Sequence, residues 1–183
     1  MANYRREIIP GGTYFFTQVT YNRRPLLTTP LARRLLRESI RRVRRTRPFK
    51  IDGFVLLPDH LHCIWTLPPG DADYPTRWRQ LKSTFTRSWL AAGGYEAEVP
   101  VGQAVQGGRG VWQRRYYERV VRNEADLRQR LNYLHINPVK HGYCERTVDW
   151  PWSSFHRYVK LGEYDSTWGG SPELFGDEWL ECE

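Results

Sequence analysis

The chain has 183 residues, 40% apolar and 14% aromatic, which suits one packed domain and excludes a disordered segment. It carries 28 basic against 20 acidic residues, a net charge of +8, and nearly all the basic residues are arginine. Three cysteines (Cys63, Cys144 and Cys182) without CxxC spacing argue against a disulfide scaffold and a structural zinc site. With no apolar run long enough for a leader or a membrane span, they point to a reducing cytoplasm.

Thr13 to Tyr21 reads as a first strand, rich in aromatic and β-branched residues, after the Pro10-Gly11-Gly12 turn. A helix then starts at Thr29, with Pro30 in its first turn and Leu31, Leu35, Leu36, Ile40 and Val43 as its buried stripe. Pro48 ends it. Phe49 to Leu57 forms a second strand, and Pro58-Asp59 turns tightly into a third. Pro75 opens a second helix, with Trp78, Leu81, Phe85 and Trp89 along one face and Arg77, Arg79, Lys82 and Arg87 on the rest. Residues 91–110 are glycine-rich and give no clear element. Val111 to Val121 reads as a fourth strand. Asn123 caps a third helix with Glu124 and Asp126 in its first turn, ending at Asn137-Pro138. After Tyr143 an irregular arm follows, holding Trp150, Trp152 and Trp168.

The order β-α-β-β-α-β, then α, fits an α+β fold, the ferredoxin-like split βαβ arrangement with one central antiparallel sheet and helices on one face. A single domain spans 1–183, with 144–183 as a C-terminal extension packing on it.

The third strand holds the densest chemistry, Leu57-Pro58-Asp59-His60-Leu61-His62-Cys63-Ile64-Trp65. Side chains alternate across a strand, so His60 and His62 share one face and can close on a single metal ion. Leu61, Cys63 and Trp65 face the core. On the third helix Tyr133 and Asn137, four apart, share another face and present a phenol and an amide together. Asn137 can lend its carbonyl oxygen to a metal held by the two imidazoles. It also stands before a proline, where asparagine commonly ends a helix, and by itself that plainer reading is the stronger.

The arginine excess and eight tryptophans favour a polyanionic partner over a merely solvated surface, since guanidinium forks match phosphates and indoles stack on bases. Arg5, Arg6, Arg77, Arg79, Lys82, Arg114 and Arg115 are candidate phosphate contacts, with Trp78 or Tyr4 for stacking. For any one of them alone, a solvated charge is the simpler reading.

Taken together these stretches resemble the HUH single-tyrosine transposases of the insertion-sequence type, and within them the REP-associated tyrosine transposases. The resemblance rests on the His60-Leu61-His62 block and on Tyr133-Leu134-His135-Ile136-Asn137-Pro138-Val139-Lys140-His141-Gly142. Trp112-Gln113-Arg114-Arg115-Tyr116-Tyr117, Trp150-Pro151-Trp152-Ser153-Ser154-Phe155 and the Arg5-Arg6 to Gly11-Gly12-Thr13 stretch support it, so that residues 4 to 160 are covered. It implies the HUH endonuclease fold, with Tyr133 as nucleophile forming a 5′-phosphotyrosine link to single-stranded DNA. It also implies Mg2+ or Mn2+ held by His60, His62 and Asn137, where insertion-sequence members usually carry glutamine at the last position. The implied partners are single-stranded DNA and imperfect DNA hairpins with a flanking tetranucleotide, in the cytoplasm on the bacterial nucleoid. A monomer is favoured over a homodimer, and no membrane is involved. A non-catalytic hairpin-binding protein is the alternative. A zinc hydrolase would need a third histidine or a carboxylate that the spacing does not offer.

Overall fold

A computed structural model describes residues 7–105 and 107–170. Its strands are β1 (Thr13–Val19), β2 (Lys50–Leu56), β3 (His60–Thr66) and β4 (Tyr117–Val121). The helices are α1 (Pro30–Thr46), α2 (Tyr74–Ala91), α3 (Val101–Val105), α4 (Glu124–Lys140) and α5 (Phe155–Lys160). The sheet order is β2-β3-β1-β4 with every neighbouring pair antiparallel, so β1 and β2 flank β3 as a split βαβ unit. This is the ferredoxin-like order the sequence predicts.

The helices occupy both faces of the sheet, not one. Tyr14, Phe16, Leu61, Cys63 and Trp65 pack with α1 and α2 in one core. Phe15, Val55 and Ile64 pack with Leu131, Tyr133 and Leu134 of α4 in a second. The strands alternate apolar residues on both faces, so each side needs a cover. Gly53 lets α4 lie close: a Cβ there would sit 2.8 Å from Leu131 Cδ2 and 3.2 Å from Leu134 Cδ1. It falls at the β-bulge where the β2–β3 register shifts between Ile51 and Gly53.

The helix starts match their caps. Thr29 Oγ1 accepts from the Ala32 N–H, Asp73 Oδ1 from Thr76 and Asn123 Oδ1 from Asp126, satisfying donors that the first turn leaves open. Two expected boundaries move. The fourth strand is only Tyr117–Val121, because residues 111–116 cross the end of β1: Trp112 bridges Thr20 and the Gln113 N–H donates to the Val19 carbonyl. And α4 continues through Pro138 to Lys140. Asn137 and Pro138 are both buried, so packing against the sheet outweighs the hydrogen bond that proline removes.

The segment after α4 closes the β2 edge. The Leu56 N–H donates to Trp152 O, Ser154 N–H to Phe54 O, and Phe54 N–H to Ser154 Oγ. An exposed strand edge is thereby paired.

Candidate active site

The pleat of β3 aims His60 and His62 at α4, their ring centroids 4.9 Å apart. Both are buried. The face of α4 opposite them carries Tyr133, Asn137 and Lys140, spaced by four and three residues. The Tyr133 ring lies 5.3 Å from that of His62, edge-on, and Phe15 packs against both at 5.8 and 5.5 Å. Lys140 Nζ lies 5.5 Å from the Tyr133 ring centroid. The structure therefore gathers Tyr133, His60, His62 and Asn137 within one chain. At 1% exposure Tyr133 is closed off from bulk solvent.

Each imidazole is oriented through its Nδ1. Thr17 Oγ1 lies 2.8 Å from His62 Nδ1, and Asp59 Oδ1 lies 2.6 Å from His60 Nδ1. Asp59 is held in turn by Arg23 Nη1 at 3.2 Å. With Nδ1–H donating in both rings, the Nε2 lone pairs are left for a ligand, the arrangement that metal-binding histidines commonly use. Burial alone would raise the Asp59 carboxyl, but His60 and Arg23 outweigh it and hold it below its ordinary value. Burial, with the nearby His60 and His141, keeps His62 neutral by pushing its pKa well below the usual imidazole range.

The donor set fits a divalent ion. His62 Nε2 and both amide atoms of Asn137 are buried without a hydrogen-bond partner. The Asn137 amide is nonetheless close enough to favour the protonated form of His62, so it faces that ring. Two imidazoles and an amide oxygen suit a hard or borderline cation that keeps other positions for phosphate and water. Among the described residues no group of three His, Cys, Asp or Glu side chains is arranged to hold a metal ion by itself, which leaves the Asn137 amide as the candidate third ligand.

The candidate DNA contacts divide. Arg77 is fully buried: its guanidinium donates to Asp71 at 3.0 and 2.6 Å and to the Pro48 and Asp73 carbonyls, so it cannot reach a phosphate. Trp78 is 1% exposed and stacks on Trp65 at 4.5 Å, a core residue and no platform for a base. Arg77, expected on the polar side of α2, sits beside the apolar stripe, and Trp78 lies in that stripe, the face its spacing predicts, where it packs in the core. Arg79, Arg114 and Arg115 are exposed. Half-buried Lys82 donates to the Gln113 and Arg114 carbonyls, and burial lowers its pKa to about 8. Tyr4, Arg5 and Arg6 lie outside the described residues, as does Cys182.

Four neighbours of the site were not legible as such. Asp59 reads in the sequence as a turn residue, although a carboxylate next to a candidate ligand is a usable signal. His141, whose ring lies 5.1 Å from His60, and Lys140 come from the turn beyond Pro138 where the helix was expected to stop. Thr17 reaches His62 only through the β1–β3 register, Thr17 opposite His62, which no local motif reveals.

A ferredoxin-like sheet with a His-x-His strand facing a tyrosine helix defines the class, an HUH-type single-tyrosine transposase. Comparison with known proteins narrows it. No family model matches the chain. It is 44% identical over 171 residues to the REP-associated tyrosine transposase of Escherichia coli K12, covering 93% of this chain and 92% of that protein. A relative from Haemophilus influenzae with the same family name is 38% identical over 174 residues, 95% of this chain and 97% of its own length. The solved structure of a REP-associated tyrosine transposase bound to a REP hairpin matches at a TM-score of 0.76 and 42% identity over 93% of each chain. The chain belongs to the REP-associated tyrosine transposases. No helix among its described residues is long and apolar enough to cross a membrane.

Proposed function

We propose that this protein cuts and rejoins single-stranded DNA beside imperfect REP-type hairpins and a short tetranucleotide flank, through a covalent link to Tyr133. The observation that carries this reading is the meeting of Tyr133 and Asn137 of α4 with His60 and His62 of β3. The relative's complex with a REP hairpin supports the choice of substrate.

In this reading the Tyr133 oxygen, having lost its proton, attacks phosphorus. The bond to the 3′ oxygen breaks, that oxygen takes up a proton, and the phosphate stays esterified to the phenol and the 5′ carbon. The link conserves the energy of the broken bond, so attack by another 3′-hydroxyl rejoins DNA and restores the phenol. His60, His62 and Asn137 would hold Mg2+ or Mn2+, which when bound supplies Lewis-acid charge at the scissile phosphate. Thr17 and Asp59 fix the two imidazoles. Lys140 brings a positive charge to the side of the nucleophile where an anionic phosphate must sit. Exclusion of water from the buried pocket protects the phosphotyrosine from hydrolysis, and admitting DNA requires this pocket to open. All four residues come from one chain, which supports a monomer, and in this reading the protein acts on DNA of the nucleoid in the bacterial cytoplasm.

The test is Tyr133→Phe, incubated with Mn2+ and a hairpin bearing its flank, then run on a denaturing gel. The covalent adduct should vanish while hairpin binding persists; an undiminished adduct overturns the assignment. His62→Ala should abolish metal-dependent cleavage. If the parent protein binds hairpins without forming any adduct, it is a binding factor only.

A further inference from the structure

Tyr143 stands at the mouth of the candidate site and has no part in the chemistry above. It is 42% exposed, while Trp150, on which its ring stacks at 5.5 Å and 29°, is buried. Trp150 is itself fixed: its Nε1–H donates to the Leu56 carbonyl at 3.0 Å, and its ring meets Trp152 edge-on at 4.9 Å. The exposed ring therefore rests on a firm support.

The backbone ties Tyr143 to α4. Beyond the C-cap His141, Gly142 turns with φ 71°, its N–H donates to Val139 O, and the Tyr143 N–H donates to Pro138 O. This is the Schellman pairing, which needs a left-handed residue where Gly142 stands. Tyr143 thus holds a set position relative to Tyr133 and Asn137 on the same helix.

From this ring a file of aromatic contacts leads inward. Tyr143 lies 5.9 Å from His141, His141 5.1 Å from His60, and His60 4.9 Å from His62, whose ring meets Tyr133. Burial raises the Tyr143 phenol above its ordinary pKa, the Asp59 carboxylate raises it further, and Arg23 opposes both. The ring is therefore near the Asp59–Arg23 pair beside His60, and it stays a neutral phenol, not a second nucleophile. Single exposed aromatic rings are ordinary on protein surfaces. This one is braced from below, tied to the helix of the nucleophile, and opens beside a candidate metal ligand.

We propose that Tyr143, backed by Trp150, is a stacking platform for one unpaired nucleobase of the strand whose phosphate reaches His60, His62 and Tyr133. This rests on the cleavage reading above and adds what holds the strand at the mouth of the site. An aromatic ring accepts any base on its π-face, so the platform grips the strand without reading its sequence. With the base held outside, its backbone turns inward to the buried ligands, where Lys140 beside Tyr133 and half-exposed Arg23 on Asp59 supply positive charge.

The experiment compares the full-length protein with Tyr143→Ala, Tyr143→Leu and Tyr143→Trp on a hairpin bearing its unpaired flank, without divalent metal. The binding is repeated with each flank base replaced in turn by an abasic site. Tyr143→Ala and Tyr143→Leu should weaken binding of the intact DNA about tenfold, within the range of one base–aromatic stack, and Tyr143→Trp less than twofold. The slope of log affinity against log salt should not change, since no phosphate contact is lost. At one flank position the abasic DNA should bind the parent weakly, and there Tyr143→Ala should cost less than a further twofold. An equal loss on every abasic DNA would make the ring purely structural and overturn the proposal, as would unchanged affinity in Tyr143→Ala. Leucine keeps an apolar cover on Trp150, so Tyr143→Leu carries the same comparison should the alanine variant unfold. Adduct formation with Mn2+ on the intact DNA is scored in parallel. A parent protein that forms no adduct while the position-specific coupling persists would refute the cleavage reading and leave the platform standing; an adduct without that coupling would do the reverse.

Discussion

Thr17 and His62 face each other across the β1–β3 ladder, with the threonine hydroxyl 2.8 Å from the imidazole Nδ1 and both groups buried. The hydroxyl can accept from Nδ1–H, and in that tautomer Nε2 keeps its lone pair for a ligand. Thr17→Val keeps the shape and removes the partner. Calorimetric or paramagnetic titration with Mn2+ should then show affinity weakened by about 10- to 100-fold, the usual cost of losing a ligand's supporting hydrogen bond. Thr17→Ser should bind like the parent. Equal affinity in the valine variant would show that the hydroxyl does not set the ring.

Asp59 does the same for His60 from a more accessible position. Asp59→Asn keeps the size and removes the charge that draws the Nδ1 proton, so Mn2+ affinity should fall about tenfold or more. Arg23, half exposed and bonded to the far oxygen of Asp59, should matter much less. Arg23→Ala should cost under about 1 kcal/mol of stability, as exposed ion pairs do. A larger effect on metal binding from Arg23→Ala than from Asp59→Asn would contradict this order of support.

Much of this site was legible because its spacing is local. Two histidines one pleat apart, and a tyrosine and an amide one helical turn apart, need only the periods of a strand and a helix. The βαββαβ order followed from caps and turn residues such as Thr29, Asn123 and Pro58-Asp59. What was not legible depends on tertiary contacts. The pairing of Thr17 with His62 needs the register of strands more than forty residues apart. The burial of Arg77 is decided by Asp71 and the Pro48 carbonyl, so an arginine that looks like a DNA contact is a strut. Continuation of α4 past Pro138 reflects packing that local propensity does not contain.

Burial and the nearby positive groups of Arg157 and His156 hold His135 neutral with a pKa of about 3, its Nε2 2.9 Å from Ser154 Oγ. An unfolded chain protonates this imidazole near its ordinary value of 6.5, so below that pH the unfolded state binds more protons. Stability therefore rises with pH across the window from about 3 to 6.5 and is lost as pH falls through it, by up to about 1.4 kcal/mol per unit for this one group. His62 acts in the same direction. Asp59 and Asp71, held below their ordinary 3.8, lose their contributions only at lower pH, so denaturant midpoints between pH 4.5 and 6.5 report on the histidines. His135→Gln should flatten that slope by close to one proton; a slope identical to the parent's would exclude His135 as its source.

Arg77 provides the complementary case, a basic residue whose loss should damage the fold and spare DNA binding. Its guanidinium is fully buried, and it joins α2 to the turn before it and to the end of α1 through Asp71, Asp73 and Pro48. Arg77→Met fills similar space but strands two carbonyls and a carboxylate. Removing one partner of a fully buried pair costs about 3–5 kcal/mol, and since the Asp71 side chain is 32% exposed the expected loss is near the low end, about 3 kcal/mol. Urea unfolding measures that loss directly. At a temperature where the variant is still folded, its affinity for hairpin DNA and its salt dependence should match the parent's. A weakened salt slope in Arg77→Met with little change in the urea midpoint would mean that the guanidinium leaves its pocket to meet DNA.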